Sequence, residues 1–350
     1  MRRGRLWSVL VACVMSVVAV VSGAAPSAGA VVPPLQGCGY AEWMGCQLDS
    51  RYISLLSIPG AHDTGALWAD GFPCNQGPEF TIAQTENTFD QLNTGIRFLD
   101  IRFGSESWAA GQQRLRVYHG PCAQRIYADT SGPIPNGWYA LLTDVLHFLV
   151  LHPSETVIMS VKDEDTHHRV AFEQLMSDLI ARTGRSRWWL NDSIPRLGQA
   201  RGKIVLVRRF THEVLNIDGM NASSGWPNNT TGSFRNFVVE DDYQGATLTP
   251  ARKRDVVGSA LTTAHRAIAS ARQRGVAAPM FLTFTSANGF NTPGGCPRLR
   301  NPNRQCTIGD YATVLDPYLA QHFPSAGPSG IVMMDEATPD IAHRIVDSNR

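Results

Sequence analysis

The sequence predicts an α/β chain, a single-domain irregular (β/α)₈ barrel, on three observations. Short apolar runs alternate with stretches of helical spacing, the pattern of a parallel sheet whose neighbouring strands are joined by helical crossovers. Eight such runs can be counted in 350 residues, a length that suits one large barrel. Nearly every run also ends in a charge pair or a histidine, and a barrel enzyme builds its site from residues at the C-terminal ends of several strands.

The runs are Ile53 to Ile58, Ile96 to Ile101, Leu115 to Tyr118, Thr156 to Val161, Lys203 to Val207, Phe237 to Glu240, Met280 to Phe284 and Gly330 to Met334. Their apolar residues do more than alternate, so they read as strands buried on both faces. The clearest helical stretches between them are Trp138 to Leu151, Arg169 to Thr183, Pro250 to Arg274 and Ile308 to His322. Runs two and three lie too close for a full crossover helix, and Phe210 to Asn236 reads as a long polar loop. Hence the expected irregularity.

Composition narrows the class. Hydrophobic residues make up 43% of the chain and charged ones 17%, which excludes disorder. The 31 Gly and 21 Pro are scattered without period, which excludes a collagen-like chain. A net charge of +1 with no basic block gives no reason to expect a nucleic-acid partner.

The first thirty residues stand apart. Arg2, Arg3 and Arg5 precede an apolar run from Leu6 to Val21, and Ser27-Ala28-Gly29-Ala30 offers a small-residue cleavage site. Residues 1–30 are therefore expected to be a secretory signal peptide, leaving 31–350 as a secreted, extracellular barrel. Removal of Cys13 leaves Cys38, Cys46, Cys74, Cys122, Cys296 and Cys306. An even number outside the cytoplasm suggests disulfides, although six cysteines allow fifteen pairings. Closeness in sequence favours Cys38 with Cys46 and Cys296 with Cys306, leaving Cys74 with Cys122 by elimination. No Cys-x-x-Cys pair supports zinc.

The strand ends carry the chemistry. Run one leads to His62 and Asp63, run two carries Asp100 and Arg102, and run three ends at His119. Run four delivers Lys162, Asp163 and Glu164, run five Arg208 and Arg209, and run six Asp241 and Tyr243. Run seven gives Thr285 and Ser286, and run eight Asp335 and Glu336. Two histidines at one mouth can act as general base and general acid, since imidazole titrates near neutral pH. An aspartate, Asp335 or Asp63, would orient one ring. Arg102 presents the planar fork that matches two phosphate oxygens and can stabilise an anionic phosphorane. Two His, an Arg and a nearby Asp read as phosphodiester cleavage. Arg102 stands where an acid pair would otherwise grip a metal, so the site is expected to need none. Calcium on Asp163, Glu164 and Asp165 is the runner-up.

Ser57-Ile58-Pro59-Gly60-Ala61-His62-Asp63-Thr64-Gly65, Gly95 to Arg102, Tyr118-His119-Gly120, Glu155 to Lys162, Ala200 to Leu206, Phe281 to Ser286 and the final strand ending in Asp335 resemble the catalytic X-domain of bacterial phosphatidylinositol-specific phospholipase C. The resemblance spans nearly all the chain after residue 30. It implies a distorted (β/α)₈ TIM-type barrel that cleaves phosphatidylinositol to diacylglycerol and inositol 1,2-cyclic phosphate, with glycosylphosphatidylinositol anchors as a further substrate. By position it implies His62 as general base, His119 as general acid, Asp335 orienting His62, and Arg102 with Asp63 acting on the phosphate. Lys162, Glu164, Arg209, Asp241 and Tyr243 match positions lining the inositol pocket. The Arg at 102 resembles the metal-independent branch. The expected partner is the lipid head group at a membrane surface, met by a monomer, with Trp68, Phe72 and Trp226 as candidate interface residues. Competing readings are a metal-dependent glycerophosphodiester phosphodiesterase and a secreted lipid- or sugar-binding barrel without catalysis.

Overall fold

Strand order follows from which apolar runs find a parallel neighbour. The computed structural model describes residues 37–71, 74, 78–107, 112–164, 169–212, 218–223, 226–245, 247–288, 296 and 306–350. The expected signal peptide lies outside these residues. The first half of the fold carries β1 (Ile58–Ala61), β2 (Phe98–Ser107), β3 (Gln113–His119), β4 (Cys122–Tyr127), β5 (Tyr139–Ala140), β6 (Val157–Asp163) and β7 (Trp188–Trp189). The second half carries β8 (Ile204–Arg209), β9 (Met220–Asn221), β10 (Thr230–Phe234), β11 (Phe237–Asp241), β12 (Met280–Phe284) and β13 (Ile331–Met334).

A parallel series runs β11–β12–β13–β1–β2–β6–β8–β9. Among the described residues no pairing joins β8 or β9 to β10 or β11, so the barrel is open on that side. Helices α1 (Pro78–Thr81), α2 (Thr88–Asn93), α3 (Leu141–Leu151), α4 (Arg169–Thr183), α5 (Leu197–Ala200), α6 (Pro250–Arg274), α7 (Ile308–His322) and α8 (Pro339–Asp347) lie between strands or after the last one. Helix α6 shows why its limits were legible: Thr249 caps Arg252 N, Pro250 opens the first turn, and Gly275 closes the helix at φ 67°.

Three expectations need correction. Ile53–Leu55 is a turn of 3₁₀ helix, and the first strand begins only at Ile58; a short buried apolar run has no period that separates the two. Run three is not a barrel stave. Strand β3 returns antiparallel along the outer half of β2, Phe103 facing Val117, and β4 extends the hairpin, as the short connection requires. The stretch expected as a loop over 210–236 contains β9 and β10, the latter pairing antiparallel with β11, the expected sixth run.

Period two sorts the staves. Ile58, Phe98, Ile158, Val205, Phe237, Met280 and Ile331 share one buried cluster, while Leu99, Met159, Leu206 and Val332 belong to a second, with residues of α3, α4 and α7. Gly60 lets β1 sit between its neighbours, because a Cβ there would lie 2.9 Å from Met333 Sδ and 3.2 Å from Phe98 Cβ. Following the inward face toward the C-terminal ends leads from Ile58 to His62, Phe98 to Arg102, Ile158 to Lys162, Val205 to Arg209, Phe237 to Asp241 and Ile331 to Asp335. The same alternation that fills the core aims these residues at one mouth. All three suggested disulfides form: Cys38–Cys46, Cys74–Cys122 and Cys296–Cys306.

Candidate active site

His62 is the first residue beyond β1, and its backbone N–H continues the ladder to Met334 O at 2.9 Å. Its Nδ1 lies 2.7 Å from Asp335 Oδ1, and its Nε2 lies 2.9 Å from Arg102 Nη2 and 3.3 Å from Asp63 Oδ2. A guanidinium only donates, so when the ring is neutral Nε2 accepts from Arg102 and Nδ1 carries the proton given to Asp335. That tautomer is the one a base needs. Burial opposes charge on this ring, but Asp335 and Asp63 outweigh it and raise its pKa to about 9.

His119 reaches the same place from the tip of the β3–β4 hairpin. Its Nδ1 meets the carbonyl oxygen of Thr81 at 3.2 Å, and its Nε2 lies 3.2 Å from Asp63 Oδ2. A carbonyl only accepts, so Nδ1 donates. The two rings stand edge to face with centroids 6.3 Å apart. One carboxylate oxygen thus touches both imidazoles, and Asp63 achieves this at φ 42°, a backbone region that L residues enter at a cost.

Cations form the floor. The ladder pairs Arg102 with Lys162 and Lys162 with Arg209, so three positive side chains share one register level. Arg102 Nε pairs with Asp63 Oδ1 at 2.7 Å, Nη2 with Asp100 Oδ2 at 3.1 Å, and Nη1 faces Glu164 Oε1 at 3.7 Å. Burial lowers its pKa less than Asp63, Asp100 and Glu164 raise it, so the guanidinium stays charged. For Asp100, burial is outweighed by Arg102 and Arg209, and its carboxyl is held down at about 2. Lys162 donates to Glu164 at 2.8 Å; burial and then Arg102 push its pKa down, with Glu164 opposing.

A cavity of about 390 Å³ opens above this floor. Of the ten expected site residues, His62, His119, Arg102, Asp335, Lys162, Glu164 and Tyr243 line it. Asp63 lies directly behind the two imidazoles. Arg209 and Asp241 do not reach the wall, contrary to expectation, because Trp226 covers them. Its ring lies 3.8 Å from the Arg209 guanidinium carbon, and its Nε1 donates to Asp241 Oδ2 at 3.4 Å. Trp226 is buried and so is no interface residue, whereas Trp68 is 44% exposed; Phe72 lies outside the described residues. Thr81, Gln244, Ser286 and Asn288 also line the cavity. Of these only Ser286 stood out in the sequence, since the others belong to no strand end.

His62, Asp63 and Asp100 bring ligand atoms within 4.8 Å of one another, as a metal site would. All three already face the Arg102 guanidinium. A dication there would be pressed against a fixed positive charge, so the set does not fit a metal. At the alternative calcium position, Glu164 is taken by Lys162 and Asp165 lies outside the described residues.

Comparison with known proteins agrees with this geometry. A scan against protein-family models finds no match. Curated relatives include 1-phosphatidylinositol phosphodiesterase of Listeria monocytogenes, 30% identical over 220 residues covering 59% of each chain. The protein of that name from Staphylococcus aureus is 26% identical over 220 residues, covering 58% of this chain and 64% of the relative. The chain thus matches about three-fifths of these relatives' length. Among solved structures, phosphatidylinositol-specific phospholipase C from Listeria monocytogenes superposes with a TM-score of 0.67 at 23% identity, covering 89% of this chain and all of the other. The fold is that of the bacterial phosphatidylinositol-specific phospholipases C, a TIM-type barrel, and the resemblance read from the sequence holds in both comparisons.

Proposed function

We propose that this chain is a secreted phospholipase C-type phosphodiesterase that cleaves phosphatidylinositol to diacylglycerol and inositol 1,2-cyclic phosphate. The observation that carries the reading is the convergence of two imidazole Nε2 atoms and the Arg102 guanidinium around Asp63 at one cavity wall. Nε2 of His62 takes the proton of the inositol 2-hydroxyl as that oxygen bonds to phosphorus. The bond from phosphorus to the diacylglycerol oxygen breaks, and the leaving oxygen receives the proton of His119 Nε2. Asp335 holds the Nδ1 proton of His62, and Thr81 O that of His119. Arg102 neutralises charge growing on the phosphorane in place of a metal. Lys162, Glu164 and Tyr243 supply a donor, an acceptor and an aromatic for the inositol ring. Arg209 and Asp241 act from beneath, through Asp100 and Trp226.

The partner is the head group of phosphatidylinositol or of a glycosylphosphatidylinositol anchor at a membrane surface, approached by a monomer. The amino-terminal pattern, the three disulfides and the exposed Trp68 support export and interfacial work. Incubation with phosphatidylinositol, followed by phosphorus resonances with and without chelator, tests the whole reading. A cyclic phosphodiester signal of equal rate in both is expected. Failure to form it sinks the proposal, and loss in chelator points to the metal-dependent alternative.

A further inference from the structure

The segment from Thr81, the last residue of α1, to Gln84 holds none of the residues expected at the site, yet it touches both histidines. Thr81 O meets His119 Nδ1. Three residues on, Gln84 is only 2% exposed. Its Nε2 donates to His62 O at 2.7 Å and to Met334 O at 2.9 Å, and its Oε1 accepts from Ala337 N at 3.3 Å. Strands β1 and β13 are paired up to Ala61 and Met334. Just past these ends each chain turns through a left-handed residue, Asp63 at φ 42° and Glu336 at φ 46°. No ladder bond beyond that of His62 N then holds the two turns together, although each carries half of the His62–Asp335 contact. The Gln84 carboxamide supplies the missing rung: two donors, one for a carbonyl on each strand, and an acceptor for the chain just after Asp335.

We propose that Gln84 is a positioning residue that ties the ends of β1 and β13 together and so fixes the His62–Asp335 pair for proton abstraction. This rests on the reading of His62 as general base. An apolar replacement leaves His62 O without this donor, Met334 O with only that of His62 N, and Ala337 N without its acceptor, and the strand ends relax apart. Substrate binding changes little, because Lys162 and Glu164 are held at the end of β6 and Tyr243 follows β11.

The test compares wild type, Gln84→Met and Gln84→Asn in the full chain, reading thermal unfolding, kcat and KM on phosphatidylinositol, and the His62 imidazole titration by nuclear magnetic resonance. Gln84→Met is expected to lose at least tenfold in kcat with KM within twofold. Its His62 midpoint moves down toward the ordinary imidazole value as Asp335 withdraws. Gln84→Asn keeps an uncharged carboxamide but is one methylene too short to reach both carbonyls, and is expected to show the same pattern; should the Met variant not fold, it carries the test. A folded variant with unchanged kcat, or with lower activity and an unmoved His62 midpoint, overturns the proposal. Absence of cleavage by wild type while the midpoint still moves in the variants overturns the functional reading instead, and leaves the positioning role standing.

Discussion

Arg97 and Arg102 lie five residues apart on one run of chain and are both paired with carboxylates, yet their surroundings divide them. At the N-terminal end of β2, Arg97 Nε donates to Glu155 Oε2 at 2.9 Å, Nη1 to the carbonyls of Leu92 and Ile96, and Nη2 to that of Ala41. Glu155 in turn accepts from Met44 N and Gly45 N. That cluster is closed. Burial lowers the pKa of Arg97, with Glu155 only partly opposing it. At the other end, three carboxylates crowd Arg102 and outweigh burial, and the guanidinium borders the cavity. A fully satisfied pair ties the base of β2 to the chain before β6; at the mouth the guanidinium is held by its carboxylates with an edge on the cavity beside Lys162, where a phosphate can reach both cations. This is the division between stability and chemistry that barrels show between their two faces.

The sharpest break in that comparison comes from the histidines at the mouth. His62→Ala or His119→Ala should each lower cyclic phosphate formation by roughly 10²–10⁴-fold, with the circular dichroism spectrum unchanged. Substantial turnover in either variant would undo the acid–base assignment. Next, Arg102→Lys keeps the charge but loses the planar fork, and turnover should fall about 10²–10³-fold while thermal stability barely moves. The mirror experiment is Arg97→Met, which leaves Glu155 buried and uncompensated. Denaturant unfolding should show a loss of about 3–5 kcal/mol, with turnover per folded molecule unchanged. If Arg97→Met impaired turnover more than stability, the two ends would not be distinct.

The smallest effect is a pH slope. The folded pKa of His62 is raised to about 9, so its contribution to stability is fully present below the unfolded value near 6.5 and is lost as pH rises through 9. The melting temperature should therefore drift down across that window, and less so in His62→Asn. An equal drift in His62→Asn would remove this group as its source.

Much of this was legible beforehand because the signals are local. Helix α6 shows its cap, its opening Pro and its closing Gly in the sequence, and the paired cysteines Cys38–Cys46 and Cys296–Cys306 lie close along the chain. The inward face of each stave can be followed by counting in twos from an apolar residue to a charged one, Ile158 to Lys162 or Ile331 to Asp335. Gln84 and Thr81 escaped notice because they sit at and just after the end of a one-turn helix, where no period or motif marks a residue whose partners are twenty or more positions away. Trp226 was misjudged for a similar reason: a Trp in a polar stretch looks the same whether it meets lipid or covers Arg209.

The amino-acid order by itself determined which side chains face the barrel interior and which strand ends carry charge, since both follow from a two-residue period and from apolar burial. Only the tertiary structure decided that the β3–β4 hairpin brings His119 beside His62, that one oxygen of Asp63 serves both rings, and that Arg209 and Asp241 lie under an indole. Those outcomes depend on how distant segments compete for the same space and the same hydrogen-bonding atoms, and no stretch of sequence contains that competition.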